Sequence, residues 1–178
     1  MSEAVELHPY DPAWLVAFEA ERQLIAPVFP VPPLLVEHIG STSIPGLAAK
    51  PIIDIIALVE DLETARAAIP RLEATGYSFW AGNPDKTKLY LVKGLPPAPK
   101  RTHHLHIHDD EREVRRHLVF RDHLRTHPDA AAAYLALKLD LAQRFRDDRE
   151  AYSKHKTRFI DDLVGPLGAP PRRVKWEP

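Results

Sequence analysis

Hydrophobic residues near the start of the chain follow a helical period, and those that come next form continuous runs. The periodic residues are Trp14, Phe18, Ile25 and Val28. Because Asp11 and Pro12 suit the start of a helix, this pattern predicts a first helix that ends near Phe29. Residues 34–39 and 52–59 are short apolar runs bounded by turn residues, which predicts two β-strands.

The middle of the chain combines one interrupted helical pattern with three further strand-like segments. Asp61 is suited to cap a helix, and Pro70 is expected to kink or shorten that helix. The segments that follow carry β-forming residues between proline-rich and glycine-rich turns, and they span residues 77–81, 88–93 and 101–108. We expect these segments to extend the sheet in antiparallel fashion.

The last third of the chain returns to a helical period. Apolar side chains recur at helical spacing from Asp109 onward, with interruptions at Pro128 and near Asp147. The pattern predicts an α+β fold in which a mixed β-sheet is flanked by helices and followed by a helical C-terminal third. Residues 1–164 are expected to form a single domain, and residues 165–178, rich in proline and glycine, a loose tail.

The composition excludes several classes of function. The chain has 24 Lys and Arg against 25 Asp and Glu, so no global basic field is available to attract nucleic acid. It contains no cysteine, which excludes disulfides, thiolate metal sites and cysteine nucleophiles. Its longest apolar run is far shorter than the roughly 20 residues that cross a bilayer, and no N-terminal segment resembles a signal peptide. We expect a cytoplasmic protein that acts on small molecules, without membrane or strong nucleic-acid interactions.

A glycine-serine turn joins the first two predicted strands. Its residues are Gly40, Ser41, Thr42 and Ser43, and Lys50 follows shortly after them. Backbone N–H groups and hydroxyls in such a turn are suited to hold a phosphate, and a lysine adds a point charge. Equally, the hydroxyls can satisfy backbone groups within a capped turn while Lys50 is solvated. Both interpretations stay open at the level of the sequence.

Asp54 interrupts the second apolar run. A carboxylate between isoleucines on an internal strand must be paired, metal-bound or protonated, because a buried charge without a partner is costly. It can also lie near the exposed end of the strand or cap a neighbouring backbone group. A site for two metal ions normally has a second carboxylate two residues later on the same face, and this position is Ile56. The run therefore argues against an ordinary two-metal site.

Seven of the ten histidines lie between residues 103 and 127. His104 and His106 alternate with Leu105 along a predicted strand, so both rings point to one face. Together with Asp54 they form a two-histidine, one-carboxylate set that suits zinc, manganese or iron(II). Either ring can instead form a structural hydrogen bond or donate to a phosphate.

The other histidines of this group are assigned from their neighbours. His103 and His108 are expected at the surface, and His123 and His127 at solvated positions of a helix or its end. His117 lies one helical turn before Arg121, so these two side chains can face a cleft together.

Several short motifs occur in order along the chain. They are Tyr10-Asp11-Pro12-Ala13-Trp14, the segment from Glu37 to Asp54, Gly76-Tyr77, His104-Leu105-His106, the segment from His117 to Arg125 with Pro128, Tyr134-Leu135-Ala136-Leu137-Lys138 and Tyr152-Ser153-Lys154-His155-Lys156. This ordered set closely resembles the GrpB family over about residues 5–164.

The resemblance implies a nucleotidyltransferase-like fold, similar to that of the DNA polymerase β superfamily. It makes Gly40-Ser41 the signature turn of that fold and Asp54 the first metal carboxylate. Ile56 takes the place of the usual second carboxylate, and His104 and His106 lie on the strand expected to bring the third. In some bacteria the family is fused to dephospho-coenzyme A kinase, which implies a protein partner of that kind.

These residues support three hypotheses for function. In the first, the protein binds a nucleotide or another phosphorylated small molecule with one divalent cation, Mg²⁺, Mn²⁺ or Zn²⁺, and transfers a nucleotidyl or phosphoryl group. The cation and catalysis are assigned to Asp54, His104 and His106, and the phosphate to Gly40, Ser41, Thr42, Ser43, Lys50 and Arg121. In the second, a catalytically inactive module binds the nucleotide and assists a partner such as the kinase. In the third, the two-histidine, one-carboxylate set carries metal-dependent hydrolysis.

Overall fold

Helices alternate with strands in the first part of the chain, and the last part is helical. The structure, a computed structural model, describes residues 4–98 and 100–173. The α-helices of these residues are α1 (Ala13–Ile25), α2 (Leu62–Ala65), α3 (Ile69–Ala74), α4 (Glu111–Thr126), α5 (Pro128–Arg144), α6 (Arg149–His155) and α7 (Thr157–Val164). The strands are β1 (Leu35–Ile39), β2 (Ile53–Leu58), β3 (Tyr77–Phe79), β4 (Leu89–Lys93) and β5 (His103–His108). None of the described helices has the length and apolar character that a membrane span requires.

The strands form one mixed sheet in the order β1-β2-β5-β4-β3. β1 is antiparallel to β2, β2 is parallel to β5, and β4 is antiparallel to both β5 and β3. The parallel pairing requires a long connection between β2 and β5, and this connection contains α2, α3, β3 and β4. β2, the isoleucine-rich strand, is therefore internal, as its apolar run predicts.

One face of the sheet packs against α1, α2 and α3 and forms the largest apolar core. Odd-numbered residues of β2 and β5 point to this face, among them Ile55 and Leu105, which are fully buried. Trp14 and Phe18 of α1 and Leu72 of α3 cover them. Burial of each such side chain contributes about 1.5–3 kcal/mol, so this face supplies much of the stability of the fold.

The opposite face of the sheet contacts α4 directly, and α5 to α7 pack around α4 and the turn after β1. Ile39 and Ile56 pack with Val114 of α4. A second cluster joins the turn after β1 to the C-terminal helices and includes Ile44 and Phe120. Polar side chains of the sheet and of the helices line the space that these clusters leave between them.

The predicted elements are present, with strand ends displaced by no more than two residues. The antiparallel extension is found among β3, β4 and β5, but β5 joins β2 in parallel, because the chain crosses over between them. The α+β architecture with a mixed sheet and a helical C-terminal region is thus confirmed. Pro70 does interrupt the predicted helix, because α2 and α3 are separated by a 3-10 turn at Arg66–Ala68. Asp61 caps α2 by accepting a hydrogen bond from the backbone N–H of Thr64 at 2.6 Å.

The tail after α7 packs back onto the helices over part of its length. Arg116 donates a hydrogen bond to the carbonyl of Pro170 at 3.0 Å, and Arg172 donates to Asp161 at 3.1 Å. Residues 169–173 therefore do not form the loose tail that their composition predicts, because partners on α4 and α7 hold them. Residues 165–168 form turns directly after α7, and residues 174–178, the last part of that prediction, lie outside the described residues.

Candidate functional site

Asp54 and the two alternating histidines meet where β2 and β5 run side by side. Asp54 is the register partner of His104, and His106 follows on the same face of β5. His104 Nδ1 lies 2.9 Å from Asp54 Oδ1, and His106 Nε2 lies 4.0 Å from the same oxygen. One ligand atom from each of the three residues lies within 4.8 Å of the others, so together they form a candidate metal site.

Gly40 brings the glycine-serine turn against Asp54. Its φ of 70° and ψ of -172° belong to a region that residues with a side chain rarely adopt. A Cβ at this position would lie 2.6 Å from Asp54 Oδ2, closer than two such atoms approach without a shift. The backbone and the neighbouring carboxylate therefore both require glycine here.

The hydroxyls of this turn have different surroundings. Ser43 Oγ donates to the carbonyl of Gly40 at 2.6 Å, and Thr42 Oγ1 donates to the carbonyl of Ile52 at 3.2 Å. Both hydroxyls thus satisfy backbone groups, as the structural alternative describes. Ser41 and Thr42 both line the cavity that Asp54 also lines. Because the Thr42 hydroxyl bonds to a backbone carbonyl and the Ser41 hydroxyl bonds to the Tyr134 side chain, Ser41 is the hydroxyl of the turn without a backbone partner among the described residues.

A cavity of about 370 Å³ lies between the sheet and the C-terminal helices. Small-molecule sites span roughly 300–1,000 Å³, so this volume suits a compact ligand. Its charged lining residues, among those described, are the cations Lys50, Lys88, Arg116, Lys154, Lys156 and Arg172 and the carboxylates Asp54 and Glu150. The excess of positive charge favours an anionic ligand.

The candidate metal site combines an ionised carboxylate with neutral imidazole. Burial alone would raise the pKa of Asp54, but its interactions with His104 and His106 hold that pKa well below its usual range. Burial lowers the pKa of His106 to about 4 and that of His117 well below its usual value. Both rings are therefore uncharged at neutral pH, which is the form that coordinates a metal ion.

Each histidine of the candidate metal site has one buried ring nitrogen without a partner in the described part of the chain. Within the described residues, His104 Nε2 and His106 Nδ1 are buried without a hydrogen-bond partner from the protein. Such atoms destabilise the folded state unless another group completes their bonding. These two nitrogens are not the ones that face Asp54, so they offer further places for a polar ligand beside the candidate cation site.

Lys50 reaches the cavity, whereas Arg121 does not. Lys50 is among the lining residues, and Arg121 is held by groups outside the cavity. Arg121 Nη1 donates to Glu37 Oε2 at 2.6 Å and to the carbonyl of His38 at 3.0 Å, and its Nε donates to Asp122 at 2.7 Å. This guanidinium therefore anchors α4 to β1, and of the two side chains expected to face a cleft together only His117 lines the cavity.

Two of the other histidine assignments need correction. His108 is 3% exposed and is not a surface residue, because it has the same parity as His106 and its ring lies 6.5 Å from that of His117. His103 points to the opposite face, where its Nε2 lies 3.8 Å from Glu21 Oε2. The alternation along β5 that predicted the face of His106 also predicts the faces on which the His103 and His108 rings lie.

Among the lining residues that sequence reasoning missed are Tyr90, Lys156 and Arg172. Tyr90 on β4 is the register partner of His106, and their ring centroids lie 4.8 Å apart. Lys156 belongs to one of the ordered motifs, so a signal for it was present. Arg172 lies in the tail and had no sequence signal.

The fold and the site define an α+β protein with a candidate cation site and a cationic cavity on one face of a mixed sheet. Residues 4–165 match the family described as "GrpB protein". This chain therefore belongs to the GrpB family, and the resemblance found in its motifs is confirmed.

Individual relatives agree with this assignment. A UPF0157 protein from Pseudomonas aeruginosa is 43% identical over 162 residues, which cover 90% of this chain and 66% of that protein. A dephospho-CoA kinase from Mycolicibacterium paratuberculosis is 32% identical over 181 residues, covering 89% of this chain and 44% of the kinase. The crystal structure of the conserved protein GrpB from Enterococcus faecalis is similar with a TM-score of 0.81 and 38% identity, covering 92% of this chain and 99% of that one. The chain thus spans only part of the length of the first two relatives.

Proposed function

We propose that this protein binds a nucleotide or another phosphorylated small molecule, together with one divalent cation, in the cavity between the sheet and α4 to α7. The observation that carries the proposal is that one cavity is lined by Asp54, His104 and His106 and also by Ser41 and Lys50. A cation site beside hydroxyl and ammonium groups is what a metal-bound phosphate needs.

The donor set suits zinc, manganese or iron(II) better than magnesium. Two imidazole nitrogens and one carboxylate form a mixed set, whereas magnesium prefers oxygen ligands. Asp54 is ionised and His106 is neutral at pH 7, so both are already in the form that binds a cation. A bound cation would supply Lewis-acid stabilisation of phosphate charge.

The topology supports the nucleotidyltransferase-like part of the proposal. β1 leads into Gly40-Ser41, β2 carries Asp54, and β5, the parallel neighbour of β2, carries the two histidines. This order of turn, carboxylate strand and neighbouring strand is the one that the resemblance implies. We therefore extend the proposal to transfer of a nucleotidyl or phosphoryl group, with positioning and charge stabilisation as the main contributions.

A catalytically inactive binding module is the second candidate, and Ile56 favours it. Ile56 is fully buried with Ile39 and Val114, so the place of a second carboxylate belongs to an apolar cluster. The similarity to a protein named dephospho-CoA kinase adds the kind of partner that such a module would assist.

Metal titration of chelator-treated protein tests the cation site. We expect Zn²⁺ or Mn²⁺ to bind the wild type, and Asp54→Asn and His106→Leu to weaken that binding by about tenfold or more. His127→Leu removes an exposed histidine away from the cavity and serves as the matched control. Wild-type protein that binds none of the three cations Zn²⁺, Mn²⁺ and Mg²⁺ would contradict the site.

Thermal unfolding with ATP, GTP, CTP, UTP and coenzyme A precursors, each with a cation, then tests ligand binding. Stabilisation by one pair, lost in Asp54→Asn, supports the proposal, and no stabilisation by any pair contradicts it. Mass spectrometry of the incubated mixtures separates the candidates. A transferred group supports the transferase, a product formed with water supports metal-dependent hydrolysis, and binding without product supports the inactive module.

A further inference from the structure

Lys50 and Lys156 are far apart in the chain but approach the same aromatic ring at the cavity. Lys50 lies shortly before β2, and Lys156 lies between α6 and α7. Their Nζ atoms lie 5.0 Å and 4.3 Å from the centroid of the Tyr152 ring. Tyr152 is 1% exposed, so packing fixes this ring and with it the meeting point of the two lysines.

These two lysines lack the carboxylate partner that other cavity cations have. Lys154, for comparison, pairs with Glu150 at 2.9 Å. Over residues 4–98 and 100–173, neither Lys50 nor Lys156 has a carboxylate oxygen within 4.0 Å. The charge of Asp54 acts on both of them from across the cavity.

Burial makes the positive charge of this pair costly. Burial, together with the like charges of Lys156 and Arg149, lowers the pKa of Lys50 to about 7. Burial also lowers the pKa of Lys156 to about 8. A cation–π contact contributes only about 0.5–2 kcal/mol and does not replace a counter-ion. Two neighbouring ammonium groups that lack a counter-ion favour the binding of an anion that neutralises both.

We infer that Lys50 and Lys156, which the buried Tyr152 ring holds near each other, form a second anion subsite, and that the ligand carries at least two linked phosphoryl groups. The inference rests on the proposed function and divides its phosphate contacts: a first phosphoryl group lies at Ser41 and the candidate cation site, and Lys50 contacts the second group together with Lys156. Lys50 and Lys156 line the same cavity as Ser41 and the candidate cation site, so a single ligand can contact both places. Lysines bind phosphate as point charges, and a monophosphate would leave one of the two places empty.

Isothermal titration of metal-free protein with inorganic pyrophosphate and orthophosphate tests the subsite. We expect the wild type to bind pyrophosphate about tenfold more tightly than orthophosphate, and Lys156→Met to remove most of that preference. Lys50→Met repeats the test from the other lysine, and Lys156→Arg should retain the preference because it retains the charge. Arg158→Met is the control, since it removes one positive charge from a side chain that is 92% exposed. Thermal unfolding checks that each variant folds.

The outcomes distinguish this inference from the proposed function. Equal affinity for the two anions in the wild type, or a preference that survives in both Lys156→Met and Lys50→Met, overturns the subsite. Cation titration of the same proteins is independent of this result. A lysine-dependent preference in a protein that binds no cation would contradict the cation site alone, whereas cation binding without that preference would contradict the subsite alone.

Discussion

The two faces of the sheet are built from the same strands but are covered in different ways. On the α1 side, odd-numbered residues of β2 and β5 pack into a continuous apolar core. On the α4 side, residues of these strands such as Asp54 and His106 border a cavity of about 370 Å³. Because alternate side chains of one strand serve both faces, a single sheet can be stabilised on one side and carry polar groups on the other.

The faces also differ in how their buried charges are neutralised. On the α1 side, Glu21 is 6% exposed and accepts hydrogen bonds from Lys93 at 2.9 Å. On the cavity side, Lys50 and Lys156 have no equivalent partner within the described ranges. A buried ion pair neutralises its own charges, whereas two ammonium groups without a carboxylate partner need a counter-ion from a ligand. The comparison therefore predicts that the α1 face contributes most to the stability of the fold and that the cavity face is the one available to a ligand.

Leu105→Ala and His106→Ala test this division at adjacent positions of β5. Leu105 is fully buried in the apolar core, so its truncation should lower the free energy of unfolding by about 2–5 kcal/mol. His106 borders the cavity, and we expect a loss of only about 1 kcal/mol. Urea unfolding followed by circular dichroism measures both. Equal losses would show that the two faces contribute alike.

Gly40→Ala tests the close approach of the glycine-serine turn to Asp54. Backbone strain of about 1–3 kcal/mol adds to the contact of the new Cβ with Asp54, so we expect a loss of about 2–4 kcal/mol. Gly46 also has a positive φ, of 79°, but its Cβ would meet nothing within 4 Å. Gly46→Ala is therefore the matched control and should cost about 1–2 kcal/mol. Similar losses of stability in the two variants, measured by thermal unfolding, would contradict the close approach of Gly40 to Asp54.

Lys50→Met should stabilise the ligand-free protein by roughly 1–3 kcal/mol at pH 7, because it removes a half-buried charge that has no carboxylate partner among the described residues. The folded pKa of Lys50, about 7, lies below its ordinary value of 10.5. Between these values the unfolded chain holds a proton that the folded chain lacks, so wild-type stability rises with pH. The difference between variant and wild type should thus be largest at or below pH 7 and shrink towards pH 10.

Unfolding measurements from pH 6 to 10 test the sign of this effect. The charges that act on Lys50 from neighbouring elements are those of Lys156, Arg149, Asp54 and Arg101. Arg158→Met, which changes an exposed charge, should show no such dependence. Destabilisation by Lys50→Met at pH 7 would contradict this prediction, because it would mean that the protein itself already neutralises the charge of Lys50.

Local patterns in the sequence were sufficient for much of this structure. The isoleucine run identified β2, and the alternation of His104 with Leu105 identified the face of β5 that carries the site. Pro70 and Asp61 marked the interruption and the start of helices correctly, because proline and N-cap effects act within one turn.

Predictions from the sequence failed where the position of a side chain depends on a partner that is remote along the chain. Arg121 was assigned to phosphate, but Glu37 and the carbonyl of His38, more than 80 residues earlier, hold it in place. Arg172 was placed in a loose tail, and its partner Asp161 lies on α7. Such pairs carry no periodic signal, so spacing along the chain does not reveal them.

The sequence by itself determined the helices and strands, the glycine-serine turn, the family, and the residue types available for chemistry. The tertiary structure decided which of them meet. Asp54 lies beside His104 because β5 returns to pair with β2 after a crossover that contains α2, α3, β3 and β4. Lys50 meets Lys156 because α6 packs Tyr152 between the N-terminal and C-terminal parts of the chain. Helix and strand formation follow from neighbours in sequence, whereas these contacts depend on the packing of remote segments.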